Sequence, residues 1–216
     1  MAISGPIDQA WEKWEAWHPV EAARLLAGVR APWCVAAGWA IDLFLGGQRR
    51  EHEDLEIAVP RDRLGEVAEA LAAYELFVPG RDGDRYVAWP LAEAADRLET
   101  HHQTWVRDPA ADRWRLDVFR EPADGDTWIC RRDDTIRLPY SLLIERTADG
   151  IPYCRPEIVL LFKATRTNPA GAEEARERDE GDLQAVLEVL EPERRRWLRD
   201  LIARVRPGHP WLARIE

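Results

Sequence analysis

Cysteine, positive charge and long apolar runs are scarce in this sequence, and each scarcity excludes a class of protein. Only three cysteines occur in 216 residues, far apart and without CxxC spacing, which argues against a disulfide framework and a zinc site. Lys and Arg number 30 against 40 Asp and Glu, so the net charge is −10. So acidic a chain is a poor candidate for binding nucleic acid and suits a cationic small molecule better.

The sequence also lacks the segments that direct a chain to or across a membrane. It contains no stretch of about 18 apolar residues, so no membrane-spanning helix is expected. The first residues carry neither the basic segment nor the apolar core of a secretory signal. We therefore expect a protein of the reducing cytoplasm that does not associate with membranes.

The hydrophobic pattern predicts an α+β fold, with a mixed sheet flanked by helices and a helical C-terminal part. It predicts a mixed α/β core with N-terminal helices over residues 1–155, and a helical subdomain over residues 156–216. Three tryptophans spaced by three residues indicate a helix over residues 8–17, and Pro19 begins a second helix. The other predicted helices cover residues 39–45, 61–74, 156–163, 173–190 and 192–205. The main predicted strands cover residues 33–36, 54–59, 74–78, 85–89, 102–107 and 114–119.

Two acids, Asp54 and Glu56, are the most informative residues of the chain. They are two positions apart, so on a strand both side chains leave the same face and repel each other. A divalent cation relieves that repulsion, and hard oxygen ligands favour magnesium. The alternative is a solvated strand face whose acids pair with nearby Arg or Lys side chains. A turn at Gly38, opening a helix, would expose backbone N–H groups on which a phosphate can rest.

A metal site of this kind needs a further acid, and Asp117 is the candidate. It lies within a predicted strand, and a buried strand acid without a partner costs several kcal/mol, so it requires a cation. A salt bridge to Arg115 or to a loop arginine is the alternative to a metal. The choice depends on whether Asp117 lies beside Asp54 and Glu56.

Several segments of the sequence, which include Gly38 and the three acids, resemble the nucleotidyltransferase superfamily of DNA polymerase β. Within it they most resemble the antibiotic-modifying branch, the aminoglycoside 2″-adenylyltransferases and lincosamide nucleotidyltransferases. The resemblance covers roughly residues 20–212 and is most specific in its first block. It rests on Gly38-Trp39-Ala40-Ile41-Asp42, Arg50-Glu51-His52-Glu53-Asp54-Leu55-Glu56, Asp117, Pro156-Glu157-Ile158-Val159-Leu160-Leu161-Phe162-Lys163, Arg178-Asp179-Glu180-Gly181-Asp182-Leu183 and Trp197-Leu198.

The resemblance implies magnesium-dependent transfer of a nucleoside monophosphate, with ATP as the expected donor, to a hydroxyl of a small molecule such as an aminoglycoside. Asp54, Glu56 and Asp117 would be the catalytic and metal-binding residues, and Asp117 would complete the metal site or act as the base. The acceptor is expected between the α/β core and the helices beyond residue 155, in a protein that is a monomer or a homodimer. Nucleotide binding would fall to Gly38, Trp39, Arg50 and Lys163.

The loop before the acids also receives roles. We expect His52 to hold this loop in place rather than transfer a proton, and Asp42 to order the turn or the acceptor pocket. Two residues depart from the pattern of the resembled family: Ala37 stands where its turn usually has a first glycine, and Glu56 where better-known resistance enzymes have Asp. They motivate an alternative hypothesis, that the protein is a non-catalytic nucleotide-binding relative. A third hypothesis is a nucleotidyltransferase that modifies proteins.

Overall fold

The computed structural model of the chain describes residues 5–8, 13–166 and 172–215. The strands are β1 Ile7–Asp8, β2 Cys34–Val35, β3 Glu56–Pro60, β4 Glu75–Asp82, β5 Arg85–Pro90, β6 Gln103–Asp108, β7 Arg113–Glu121, β8 Ala123–Asp124, β9 Thr127–Ile129, β10 Arg137–Pro139, β11 Ile144–Arg146 and β12 Pro152–Cys154. The helices are α1 Pro19–Leu25, α2 Ala37–Phe44, α3 Leu64–Ala70, α4 Tyr140–Leu143, α5 Pro156–Ala164, α6 Ala172–Val189 and α7 Pro192–Val205.

A mixed sheet forms the centre of the described fold. Nine strands pair in the order β1-β5-β4-β6-β7-β3-β2-β12-β11, and β10-β9-β8 form a separate three-stranded sheet. Neighbouring strands of the large sheet are antiparallel except β3 with β7 and β12 with β2, which are parallel. The predicted α+β class and mixed sheet are confirmed. The parallel pair β3–β7 matters most for function, because it joins two strands far apart in sequence.

Apolar side chains explain why β3 and α5 are central. Ile57 and Val59 of β3 are buried and alternate with less buried positions, as in a strand with one face on the core. Pro156 occupies the first turn of α5, where its missing N–H costs no hydrogen bond. Residues 158–161 that follow are all buried, so α5 is enclosed on every side, packing against α2, α6 and α7. The predicted domain boundary at residue 155 stays a prediction.

The prediction of a helix over residues 8–17 is wrong where the structure describes this segment. Asp8 belongs to β1, which pairs antiparallel with β5, and Trp14 forms a parallel bridge with Trp114. Residues 9–12 lie outside the described residues. The aromatic rings pack against the sheet edge-on, with 5.4 Å between the ring centroids of Trp14 and Trp105. Ring burial against strands therefore outweighed a spacing that suits a helix.

The cysteines and the helices agree with the composition. Cys34, Cys130 and Cys154 are buried free thiols. Across the described residues, every helix is too short or too polar to cross a lipid bilayer.

Candidate active site

Strand pairing brings the three predicted acids together. Glu56 opens β3 and lies opposite Asp117 of the parallel neighbour β7, so the two side chains share one face of the sheet. Asp54 precedes β3 rather than lying within it, which corrects the predicted strand start. The backbone N–H of Asp117 donates to the carbonyl of Leu55 at 2.9 Å, so the pairing continues past the end of the strand and holds Asp54 close to the other two acids.

The three carboxyl groups repel one another strongly. Burial, followed by the charges of Asp54 and Asp117, raises the pKa of Glu56 well above its ordinary value. Burial raises the pKa of Asp117 to about 8, and the nearby charge of Asp54 adds to this rise. Burial and the neighbouring Glu53 raise the pKa of Asp54. A cluster with these pKa shifts favours a bound cation, because a cation is what allows all three groups to ionise.

The two carboxylate oxygens of Asp117 differ in their hydrogen bonding. Its Oδ2 accepts a hydrogen bond from Gln103 Nε2 at 2.5 Å, and the side chain of Trp105 also interacts with the carboxyl group, but its buried Oδ1 makes no hydrogen bond of good geometry among the described residues. An unsatisfied buried oxygen is costly unless a ligand completes it. The donor set of three carboxylates therefore fits a hard divalent cation such as magnesium. Within the described residues, no group of three or more His, Cys, Asp or Glu side chains already has the close arrangement of a metal site.

A cavity of about 140 Å³ opens beside these acids. Glu56 is partly buried, and the exposed part of the residue faces this cavity. The wall combines acids, bases and the start of α2, where Ala36 caps the helix without any side-chain hydrogen bond. The lining residues are Ala37, Gly38, Arg50, Glu51, His52, Glu53, Asp54, Glu56, Lys163, Arg166, Ala175, Arg178 and Asp179. Free helical N–H groups and basic side chains at one place form a site for phosphate.

Of the predicted nucleotide-binding residues, Gly38, Arg50 and Lys163 line this cavity, whereas Trp39 is not among its lining residues. Trp39 is buried and stacks on His52, with ring centroids 4.4 Å apart. A Cβ atom added at Gly38 would collide with Arg50 Nη2 and come within 2.9 Å of the His52 ring. Gly38 is therefore required for the close approach of Arg50 and His52 to the helix start.

The expected roles of Asp42 and His52 in ordering the loop are supported by their contacts. Asp42 is 1% exposed, and its Oδ2 accepts from the backbone N–H of Arg49 at 3.0 Å and lies 2.8 Å from His52 Nε2. Burial lowers the pKa of His52, the opposite of what a proton-accepting role at neutral pH would use best. These contacts hold the loop that leads from α2 to Asp54.

Ala37 has a backbone conformation that favours glycine, with φ at 46°. Left-handed backbone costs an alanine about 1–2 kcal/mol, part of which a glycine returns as chain entropy in the unfolded state. We expect Ala37→Gly to raise the free energy of unfolding by about 0.5–1 kcal/mol, measured by urea denaturation. Ala40→Gly, a buried interior position of the same helix, is the matched control and should lower it. A loss of stability in both variants would contradict this account of Ala37.

A second cavity of about 870 Å³ adjoins the first, sharing Lys163, Arg166, Ala175 and Asp179 with it. It lies against α5, α6 and the end of α7. Its charged lining comprises five bases against two acids, namely Arg132, Lys163, Arg166, Arg176, Arg206, Asp179 and Glu180. In a chain of net charge −10 this positive surplus is a local feature that bulk composition concealed.

Several residues of the site were missed or under-used by sequence reasoning. Lys163 is only 7% exposed, and its Nζ lies 2.6 Å from Asp179 Oδ1 and 3.0 Å from Asp182 Oδ2. The two aspartates are three residues apart on α6, so they share one face of the helix. That spacing was visible in the sequence, within a charged run that resembled a solvated helix face. Gln103, the hydrogen-bond donor to Asp117, had no signal in the sequence.

Comparison with known proteins decides the family. The model of the aminoglycoside-2″-adenylyltransferase family matches residues 20–127, half of the chain, including the start of α2 and all three acids. The chain belongs to this family. The resemblance inferred from the sequence is thereby confirmed.

Individual members of the family align over a shorter range. Two 2″-aminoglycoside nucleotidyltransferases, from Klebsiella pneumoniae and Escherichia coli, are each 34% identical to this chain over 79 residues. The aligned region is 37% of this chain and 42% of each relative. The alignment thus spans less than half the length of these relatives.

Two solved structures have the same fold as most of this chain. The solution structure of the antibiotic-resistance factor ANT(2″)-Ia matches with a TM-score of 0.51 at 14% identity, covering 90% of this chain and 92% of that one. The crystal structure of ANT(2″)-Ia in complex with adenylyl-2″-tobramycin matches with a TM-score of 0.52 at 16% identity, covering 87% and 94%. At such identities the likeness establishes the fold alone.

Proposed function

We propose that this chain is an active, magnesium-dependent nucleotidyltransferase that transfers a nucleoside monophosphate to a hydroxyl of a small cationic antibiotic. ATP is the expected donor, and an aminoglycoside is the expected acceptor, as the names of its relatives suggest. One observation carries the proposal: Asp54 and Glu56 line a cavity with a helix start and a basic wall, and Asp117 lies opposite Glu56 on the neighbouring strand.

The chemistry is a single displacement at phosphorus. The acceptor hydroxyl oxygen attacks the α-phosphorus in line, the bond to the bridging oxygen of the β-phosphate breaks, and pyrophosphate leaves with that electron pair. The hydroxyl proton passes to a base, for which Asp117 is the candidate. Asp54, Glu56 and Asp117 would hold the magnesium ion, which, when bound, neutralises charge that develops on the phosphate oxygens.

The charges of the two cavities suggest where each substrate binds. The larger cavity has a surplus of bases, so it would repel a polycationic acceptor, whereas the small cavity, where Arg50, Lys163 and the start of α2 meet the acids, suits the triphosphate. The small cavity is lined by residues of the core and of the segment beyond residue 155, so the expected place of the acceptor between these two parts stays a prediction. The acids Glu51 and Glu53 line the smaller cavity and are exposed, so the acceptor's amino groups are better placed on that side.

The proposal is tested by turnover. The purified protein is incubated with magnesium, each nucleoside triphosphate in turn, and a panel of aminoglycosides and a lincosamide, while pyrophosphate release and the mass of the acceptor are followed. We expect pyrophosphate release together with an acceptor heavier by one nucleoside monophosphate. Asp54→Ala should abolish both signals, and Asp62→Ala, an exposed acid just after β3, should leave them unchanged.

Two other outcomes would favour the rival readings. Binding of Mg-ATP without turnover over the whole panel would indicate a non-catalytic relative. Incubation of a cell lysate with labelled ATP distinguishes the other rival: label in a protein band would indicate a protein-modifying nucleotidyltransferase, whereas label confined to small molecules would oppose it.

A further inference from the structure

Asp182 is a buried acid that neither the acidic cluster nor the two cavities include. It lies on α6, is 2% exposed and is not among the residues that line either cavity. Burying a carboxylate is costly unless positive charges compensate it. Its surroundings therefore indicate which cations it holds.

Three cations from two separate parts of the chain surround this one carboxylate. Arg49 Nη1 lies 3.7 Å from its Oδ1, while Arg50 Nη2 and Lys163 Nζ lie 3.7 Å and 3.0 Å from its Oδ2. Arg49 and Arg50 come from the loop that precedes the catalytic acids, and Lys163 comes from α5. Asp182 thus joins the loop of the core to the helical part of the fold.

The ion pairs leave the cations free to reach a further anion. Although Lys163 Nζ is near, Oδ2 of Asp182 makes no hydrogen bond of good geometry within the described residues. Arg50 is 29% exposed and, like Lys163, lines the small cavity, which Asp182 does not line. Arg50 can therefore turn toward a ligand while its buried counter-ion keeps it near the site, whereas Lys163 is held at the cavity wall by its hydrogen bond to Asp179 as well.

We propose that Asp182 is a positioning residue for the nucleotide, holding Arg50 and Lys163 together so that both face the phosphates. This inference rests on the proposed function, because it assumes that the small cavity receives the triphosphate. Asp182 would not touch the nucleotide itself. Its loss would let the loop and α5 separate their cations, weakening nucleotide binding while leaving the acceptor side of the cavity in place.

The test compares Asp182→Asn with Glu188→Gln, a charge-neutralising change at an exposed acid of the same helix. Equilibrium binding of ATP is measured by titration calorimetry, which needs no turnover and so remains informative if the protein proves non-catalytic. We expect the Kd for ATP to rise roughly tenfold to a hundredfold in Asp182→Asn, as when a partner that orients a ligating side chain is removed. Glu188→Gln should bind ATP like the parent.

Two further readouts separate positioning from general support of the fold. In turnover assays the KM for the nucleotide should rise while the KM for the acceptor stays within about twofold. In a Lys163→Met background, Asp182→Asn should add little to the loss of ATP affinity, because both changes act through the same side chain. An unchanged Kd for ATP, fully additive effects, or equal rises in both KM values would overturn the proposal.

Asp182→Glu keeps the test valid if the asparagine variant does not fold. It retains the charge but moves the carboxylate by one methylene, so the fold should persist while the cations are misplaced. Weaker ATP binding in this folded variant supports the proposal, and parental binding overturns it.

Discussion

Asp117→Asn is expected to slow nucleotidyl transfer by at least about a hundredfold, the scale on which positioned acid–base groups contribute. The physical reason is the loss of a charged oxygen from the acidic cluster, at an atom that makes no hydrogen bond of good geometry within the described residues. Asparagine has nearly the same shape, and its side-chain oxygen can still accept the hydrogen bond from Gln103. The rate is measured as pyrophosphate release at saturating nucleotide and acceptor, with the exposed Asp124→Asn as control.

The same substitution should stabilise the metal-free protein at alkaline pH. The native pKa of Asp117 is raised to about 8, well above its value of 3.8 in an unfolded chain. Between these values the native state binds more protons than the unfolded state, so stability falls as pH rises. The contribution is fully present below pH 3.8 and is lost as pH passes through about 8. Asparagine does not titrate, and the variant escapes this loss.

We expect Asp117→Asn to exceed the parent by on the order of 2 kcal/mol in free energy of unfolding at pH 8, with a smaller gap at pH 5. For a chain of this size that corresponds to a rise in Tm of roughly 4–8 °C. Measurements without divalent ions and with added magnesium separate the causes. Magnesium should raise the Tm of the parent more than that of the variant, because it binds the cluster with three carboxylates better. A parent more stable at pH 8 than at pH 5 without metal would contradict the argument.

Glu157→Gln is expected to destabilise the fold by about 3 kcal/mol, the scale for removing one partner of a buried ion pair. Glu157 is fully buried in the first turn of α5. Its two carboxylate oxygens accept hydrogen bonds from Arg194 at 2.6 and 2.8 Å, and Arg155 adds another at 3.2 Å. Glutamine leaves these guanidinium groups of α7 and the β12–α5 junction without their buried counter-charge.

Glu145→Gln is the matched control, because Glu145 contacts the same Arg194 at 2.8 Å but is 27% exposed. Its removal should cost no more than about 1 kcal/mol, as for ion pairs open to solvent. Urea denaturation of both variants measures the difference. Equal losses in the two variants would show that burial of Glu157 does not control the strength of the pair. Nucleotide binding should persist in Glu157→Gln below its melting temperature, since Glu157 lines neither cavity.

The sequence predicted much of the fold because its signals are local. Prolines in the first turns of α1, α5 and α7 marked helix starts, and apolar spacing gave α7 within its observed bounds. The hairpin of β6 and β7 followed from alternation around a polar turn. The N-terminal segment failed for the converse reason. Its tryptophans are spaced as in a helix, but Trp14 packs against Trp105 and Trp114 of strands that no local window contains.

The candidate site, too, was predictable where the signal is local and unpredictable where it depends on remote segments. Asp54, Glu56 and Asp117 could be selected from the sequence because acids in apolar surroundings require compensation. Whether they meet could not be read from it, because the meeting depends on β3 and β7 being neighbours in a sheet. Local periodicity gives the face of a strand but not its partner. The same holds for the pairing of Lys163 with Asp179 and Asp182, which requires α5 and α6 to pack together.

The sequence alone determined which functional groups are available, namely the acids and the glycine at the helix start, and the family to which the chain belongs. The tertiary structure decided how these groups act on one another. It raised the pKa values of the acids by burying them together, and it concentrated bases around the larger cavity of an acidic protein. Electrostatic energies depend on distance and on exclusion of water, and both are properties of packing between segments that are remote in sequence.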